Sequence, residues 1–274
     1  MDGDGGSDAR LRAFAEDVYA YTPAKPWQTV LDRDEFVLKN SDLAGHTGGL
    51  AARLRMADDV DRCVDYVKRW FAERGRATFI WMIGPSATPT DVRERLLAQG
   101  ASIAAGFERA ACMVLREEPA AGAASVEVRK LETLAEYEQR IEVAVEAFGW
   151  ADGYRESANR LLREHWSELD HDRNETYGAF AGDRMVAFGI STYTEHAMVL
   201  DGGATLPEAR GAGAYRALVR ARWDEAVRRG TPVLVTHAGP MSHPILERLG
   251  FQTLCELHVL ADVTRLDSGR HLPD

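Results

Sequence analysis

Cysteine is scarce in this sequence: its 274 residues include three, Cys63, Cys112 and Cys255. They lie far apart and match neither a metal-binding spacing nor a disulfide framework. No metal is therefore expected, and free thiols in a reducing cytoplasm fit the count. Long apolar runs are missing too; none approaches the roughly 20 residues that cross a bilayer. The N-terminal stretch MDGDGGSDAR has neither the basic start nor the apolar run of a secretory signal. Positive charge is also in short supply, with 33 Lys and Arg against 43 Asp and Glu and a formal net charge of -10. Nucleic acid and anionic membrane reward clustered Lys and Arg, so neither is expected as a partner. A cationic small molecule suits such a surface better.

The rest of the composition is that of a globular protein. Hydrophobic residues make up 45% and charged residues 28%, enough apolar material for one large core or two ordinary ones. A linker without apolar periodicity, within REEPAAGAASVEVRK (Arg116–Lys130), divides the chain near Gly122. The two sides resemble each other. VKRWFAERGRATFIWMIGP (Val67–Pro85) and RARWDEAVRRGTPVLVTHAGP (Arg220–Pro240) each read as a helix ending in Arg-Gly, a short apolar strand, then Gly-Pro. Arg74 and Arg229, like Gly84 and Gly239, stand 155 positions apart. Each side then continues into a helix containing Glu-Arg-Leu and a glycine. Gly75 and Gly230 suit the left-handed conformation that ends a helix, and TFIWMI and PVLVTH suit buried strands. Two related α/β units are expected, 1–121 and 122–274.

Between a strand and a helix of the second unit lies RGAGAY (Arg210–Tyr215). This stretch either simply turns the chain or holds an anion. Glycines let backbone N–H groups approach a ligand, and a helix N-terminus offers unpaired donors and a positive dipole end. Arg210 would add a full charge. The order strand, ATLPEARGAGAY, helix, RRG, strand, GPMSHPILERLGF resembles the GNAT superfamily of coenzyme A-dependent N-acyltransferases. Arg210 and Gly213 fit that superfamily's phosphate loop, while Tyr215 replaces its final small residue. The likeness covers about 140 C-terminal residues; the first half is similar to the degenerate N-terminal unit of tandem members.

This resemblance implies an α/β (α+β) fold of two GNAT-like units. Each has a mixed, mainly antiparallel sheet with flanking helices, and in the second a parallel strand pair splays open. Acetyl-CoA as co-substrate would lie in the splay, with Ala204, Thr205 and Leu206 along its pantetheine and Arg210, Gly211, Ala212, Gly213, Ala214 and Tyr215 at its pyrophosphate. The offset of 155 places Asp58 where Gly213 stands, beside Asp59. Two carboxylates repel a phosphate, so the 1–121 unit is expected to bind no CoA.

The activity implied is transfer of an acetyl group to a primary amine of a small molecule. Such an amine, with a pKa of about 10.4, must first lose a proton. Candidates for the proton-handling roles are Asp201, Glu195, His237 and Ser242, with Tyr193, His196 and His243 nearby. Asp201 interrupts an apolar strand, where an unpaired charge is costly. The tyrosine that commonly reprotonates the thiolate in this superfamily is replaced here by Leu246. That departure keeps two alternatives open: a non-catalytic acyl-CoA-binding regulator, or an acyl-CoA decarboxylase on the same scaffold. Phe148, Trp150 and Tyr154 could wall an acceptor pocket or pack as core. His165 and His171, in a polar helical stretch, read as surface residues.

Overall fold

The computed structural model describes residues 4–43, 48–57, 59–120, 124–150 and 152–264. The first half runs α1 (Asp4–Glu16), α2 (Val18–Tyr21), β1 (Gln28–Arg33), β2 (Phe36–Ser41), β3 (Gly49–Ala52), α3 (Val60–Ala72), β4 (Thr78–Ile83), α4 (Val92–Ala98), β5 (Ser102–Ile103) and β6 (Arg109–Leu115). The second runs β7 (Glu127–Lys130), α5 (Leu134–Phe148), α6 (Asp152–Glu164), β8 (Asn174–Ala181), β9 (Arg184–Tyr193), β10 (Met198–Thr205), α7 (Ala214–Arg228), β11 (Leu234–Ala238), α8 (His243–Arg248) and β12 (Gln252–Val263). The linker boundary expected at 121/122 falls outside the described residues. Among those described, no helix is long and apolar enough to cross a membrane.

The duplication is visible in the backbone. In each half a strand, a helix and a second strand make a parallel pair, β3 with β4 and β10 with β11; the other neighbouring strands pair antiparallel. Gly75 and Gly230 end α3 and α7 with φ of 67° and 79°, in the left-handed region open to glycine. What the sequence does not show is that the two halves share one sheet. Its order is β1-β2-β3-β4-β12-β6-β11-β10-β9-β8-β7, with β5 also on β12. The final strands have changed places. β6 of the first half pairs with β11 of the second, and β12 of the second pairs with β4 of the first. β6 and β12 then pair with each other, bringing Cys112 opposite Cys255.

Packing fastens this exchange. Helix α3 repeats buried residues at Val60, Cys63, Val64, Val67, Trp70 and Phe71, the spacing of one helical face. That face meets β4, where Phe79 stacks on Phe71 at 4.4 Å and meets Trp81 edge-on at 5.1 Å. Trp81 Nε1–H donates to Asp262 at 3.0 Å, and Lys68 Nζ lies 3.1 Å from the same carboxylate. Asp262 belongs to β12, so a buried charge from the second half is neutralised by a cation on the first. Removing one partner of a buried pair strands the other. Lys68→Met is expected to destabilise the protein by about 2 kcal/mol, the partly exposed lysine keeping the loss modest. Chemical denaturation checks this; an unchanged midpoint would show that the pair does not secure β12.

Candidate active site

The site grows from the parallel pair of the second half. β10 and β11 stay in register for two residue pairs, Met198 with Leu234 and Val199 with Val235. Thr236 Oγ1–H then donates to Leu200 O at 3.1 Å, and beyond that point the strands part. A cavity of about 160 Å³ lies at the parting. It is lined by Asp201, Gly202 and Gly203 of β10, Thr236 and His237 of β11, Tyr215 and Arg222 of α7, Ser242 and Leu246 at α8, and Val18 and Tyr19 of α2. Past Val199, the edge of β10 that faces β11 has no strand partner among the described residues, while its other edge stays on β9, with Ala204 opposite Phe188 and Thr205 opposite Ala187. Leu206 N–H is tied to Val186 O at 2.9 Å.

Asp201 occupies a β-bulge. Ser191 pairs with Leu200 and Ile190 with Gly202, leaving Asp201 as the extra residue of β10. The bulge turns its carboxylate into the cavity wall, where Thr192 Oγ1–H donates to it and Lys25 Nζ stands 3.9 Å away. Lys39 is buried close by and donates to Thr22 O at 2.5 Å and Thr22 Oγ1 at 2.9 Å. Burial pushes its ammonium down to about 8, against the pull of Asp201.

His237 faces Asp201 across the gap. Its Nε2–H donates to Ala15 O at 2.7 Å, which fixes the tautomer and leaves Nδ1 bare, buried and without a partner among the described residues. Tyr19 meets the imidazole edge-on at 5.3 Å. Burial pushes the imidazole down to about 4, so it is neutral at pH 7. Burial, and next the charge of Asp201, push the Tyr19 phenol up. The depressed imidazole makes stability depend on pH. Below the ordinary pKa of about 6.5 the unfolded chain takes up a proton that the folded chain refuses until about pH 4, so stability falls as pH drops through that window. His237→Gln is expected to flatten this fall by about 2 kcal/mol between pH 6.5 and pH 4.5. Thermal melts over that range check it; parallel curves for parent and variant would remove His237 as the cause.

Ser242 is half-buried on the cavity and donates to Gly239 O at 3.3 Å. Leu246, in the position of the missing tyrosine, is 1% exposed and presents only methyl groups. His243 turns away and meets Thr253 Oγ1 at 3.1 Å. Glu195 and His196 lie in the exposed turn before β10, 3.3 Å from each other. Tyr193 is committed elsewhere. With Tyr177 it donates to the buried Glu175, at 3.1 and 2.9 Å, which Lys130 and Arg229 neutralise. The cavity thus gathers Asp201, His237 and Ser242 and leaves Glu195 outside. Phe148 stacks on Trp150 at 4.6 Å and Trp150 meets Tyr154 at a tilt at 4.3 Å, with Phe148 and Trp150 exposed at the end of α5. His165 pairs with Glu168, and His171 meets Trp166 O at 3.2 Å.

The glycine loop runs into α7, whose first-turn Tyr215 lines the cavity. Gly211 and Gly213 have φ of 82° and 83°, and Gly213 caps α7 with no side chain over the helix end. The first-turn N–H groups of α7, from Ala214, Tyr215 and Arg216, have no intrahelical acceptor. Arg210 is exposed, and its Nε–H donates to Thr205 O at 3.4 Å. The first half is built differently at the equivalent place. Met56 N–H donates to Thr88 O at 2.8 Å and Thr88 N–H to Leu54 O at 3.1 Å, so the chain's own backbone bridges the gap beyond β3 and β4. Asp58 lies outside the described residues; Asp59 precedes α3 and pairs with Arg62 at 2.9 Å.

Two groups at the site escape a reading of the sequence. Tyr19, on the cavity, and Lys25, 3.9 Å from Asp201, come from far upstream, and no local signal marks them. Arg222 does leave a trace: it interrupts the apolar face Leu218, Val219, Trp223 and Ala226 of α7.

No family model matches the chain, and no curated protein is significantly similar to it. Solved structures are similar in fold. A tandem GNAT protein from the clavulanic acid biosynthesis pathway superposes with a TM-score of 0.59 at 14% identity, covering 96% of each chain. A GCN5-related N-acetyltransferase from Kribbella flavida gives 0.63 at 15% identity over 99% of this chain and 98% of its own. Another, from Sphaerobacter thermophilus, gives 0.59 at 16% identity over 94% and 92%. The chain has the tandem GNAT fold.

Proposed function

We propose that the protein is a CoA-dependent N-acyltransferase, with acetyl-CoA as the reference donor and a primary amine of a small molecule as acceptor. The observation that carries this reading is the opening between β10 and β11, with a glycine-rich helix start at its mouth and Asp201 on its wall. The residues fit the donor. Loop N–H groups with no side chain over them suit a pyrophosphate, and the unpaired edge of β10 suits the amides of a pantetheine arm. Residues 122–274 would hold the donor and residues 1–121 would not.

A CoA thioester supplies the activated acyl carbon. The chain would orient it and handle protons. Asp201 accepts the ammonium proton of the incoming amine, directly or through water. Backbone N–H groups at the bulge stabilise the oxygen that gains charge as nitrogen attacks. Ser242 or solvent returns a proton to the thiolate, which leaves readily because a thiol pKa is near 8.5. His237, neutral and tied to Ala15 O, orients the wall. Leu246 favours a second reading, acyl-CoA binding without transfer, because a leucine at this place on the cavity has no proton to give a leaving thiolate.

Thiol release from acetyl-CoA across a panel of amines tests the two readings. Amine-dependent release supports transfer; tight CoA binding with no release under any amine supports the second. Calorimetry should give about one CoA per chain. An endpoint near two would overturn the assignment of the donor to the second half alone.

A further inference from the structure

Arg222 is 2% exposed, yet among the described residues it has no carboxylate partner. Its Nε–H donates to Leu218 O at 2.9 Å and its Nη1–H reaches Ile190 O at 3.5 Å, while Nη2 has no hydrogen-bond partner there. The residue also lines the cavity at the parting of β10 and β11. Room for it is made by Gly189 on β9, where a Cβ would come within 2.7 Å of the guanidinium carbon. A guanidinium stays charged at any physiological pH, and leaving one buried without an anion is costly. An apolar side chain would continue the face of α7 at no such cost. A buried fork with a free donor edge on a cavity is built for an anionic ligand group.

Position says which group. Arg222 is eight residues beyond Ala214, about 12 Å along the helix from the glycine loop. It therefore stands away from the pyrophosphate and toward the far end of the pantetheine arm. Asp201 is not its partner, because that carboxylate is held by Thr192 and Lys25. The cavity of about 160 Å³ has space for a short acyl group.

We propose that the preferred donor is a CoA thioester whose short acyl group ends in a carboxylate, malonyl or succinyl in type, and that Arg222 binds that carboxylate. The proposal rests on the transferase reading of the cavity. Transfer forms the bond from amine nitrogen to acyl carbon and breaks the carbon–sulfur bond. The electron pair leaves with sulfur; of the two protons the ammonium gives up, one goes to Asp201 and the other, lost after attack, is matched by the proton that Ser242 or solvent returns to the thiolate, and the distal carboxylate stays in the amide product. That product carries a negative charge in place of the amine's positive one.

The test is calorimetric binding of acetyl-CoA, malonyl-CoA and succinyl-CoA to the parent protein and to Arg222→Gln. The parent should bind one of the two carboxylated thioesters at least about tenfold tighter than acetyl-CoA, about 1.4 kcal/mol. In Arg222→Gln that ratio should collapse toward one. Should Arg222→Gln fail to fold by circular dichroism, Gly189→Ala, which pushes a methyl group against the guanidinium, should lower the same ratio. Equal affinities in the parent overturn the proposal alone. So does an equal loss for all three thioesters in Arg222→Gln, since Arg222 would then hold the shared pantetheine. Binding with the predicted preference but no amine-dependent thiol release sinks the transferase reading and keeps the acyl assignment. No binding of any thioester overturns both.

Discussion

Asp201→Asn is expected to lower kcat/KM for a high-pKa amine by about 10²–10⁴. At pH 7 an amine of pKa about 10.4 is free in roughly 1 molecule in 2500, a handicap of about 4.6 kcal/mol. Asp201 is the carboxylate on the cavity wall, and the bulge leaves it without a cross-strand partner on β9. Asn keeps the shape and can keep a hydrogen bond with Thr192, but it cannot take the proton. Raising the pH should therefore rescue the variant in part, because bulk solvent then deprotonates the amine. Ser242→Ala should cost far less, since the thiolate leaves with little help. Glu195→Gln, in an exposed turn, should cost nothing measurable. Matching pH–rate profiles for parent and Asp201→Asn would take Asp201 out of the mechanism.

Gly213→Asp should weaken CoA binding about a hundredfold, near 2.8 kcal/mol. Two effects add. Gly213 sits at φ 83°, a conformation that side chains adopt at a cost. A carboxylate there also stands at the start of α7, where it would satisfy the helix N–H donors itself and repel a phosphate. The second effect stabilises the helix while it blocks the site, so a folded, poorly binding variant is the expected outcome. Calorimetry with CoA, alongside a thermal melt, separates loss of binding from loss of fold. Unchanged affinity in a folded Gly213→Asp variant means the pyrophosphate is held elsewhere.

Much of this architecture was legible in short stretches. Arg-Gly at Gly75 and Gly230, the apolar run Thr78–Ile83 and the helix 92–98 each carry a local signal, because helix ends and buried strands are decided by nearby residues. The loop Arg210–Tyr215 was legible for the same reason. The charged interruption at Asp201 was visible in its strand, although the bulge that presents it was not. Leu246 could be marked as a departure before its burial on the cavity was known.

The sequence by itself therefore determined the repeated strand–helix–strand units, the glycine-rich helix start and the residues at which charge breaks an apolar pattern. All of these follow from interactions within a few residues along the chain. Only the tertiary structure decided the exchange of β6 and β12, the meeting of Cys112 with Cys255, and the closing of the cavity by Tyr19 against His237. It alone brought Asp201 and Ser242 to one cavity, with Glu195 left in an exposed turn. Strand order is set by which edges find each other after the chain has doubled back. Residues that meet across that fold, such as Ala15 and His237 or Lys68 and Asp262, share no pattern that a linear reading can detect.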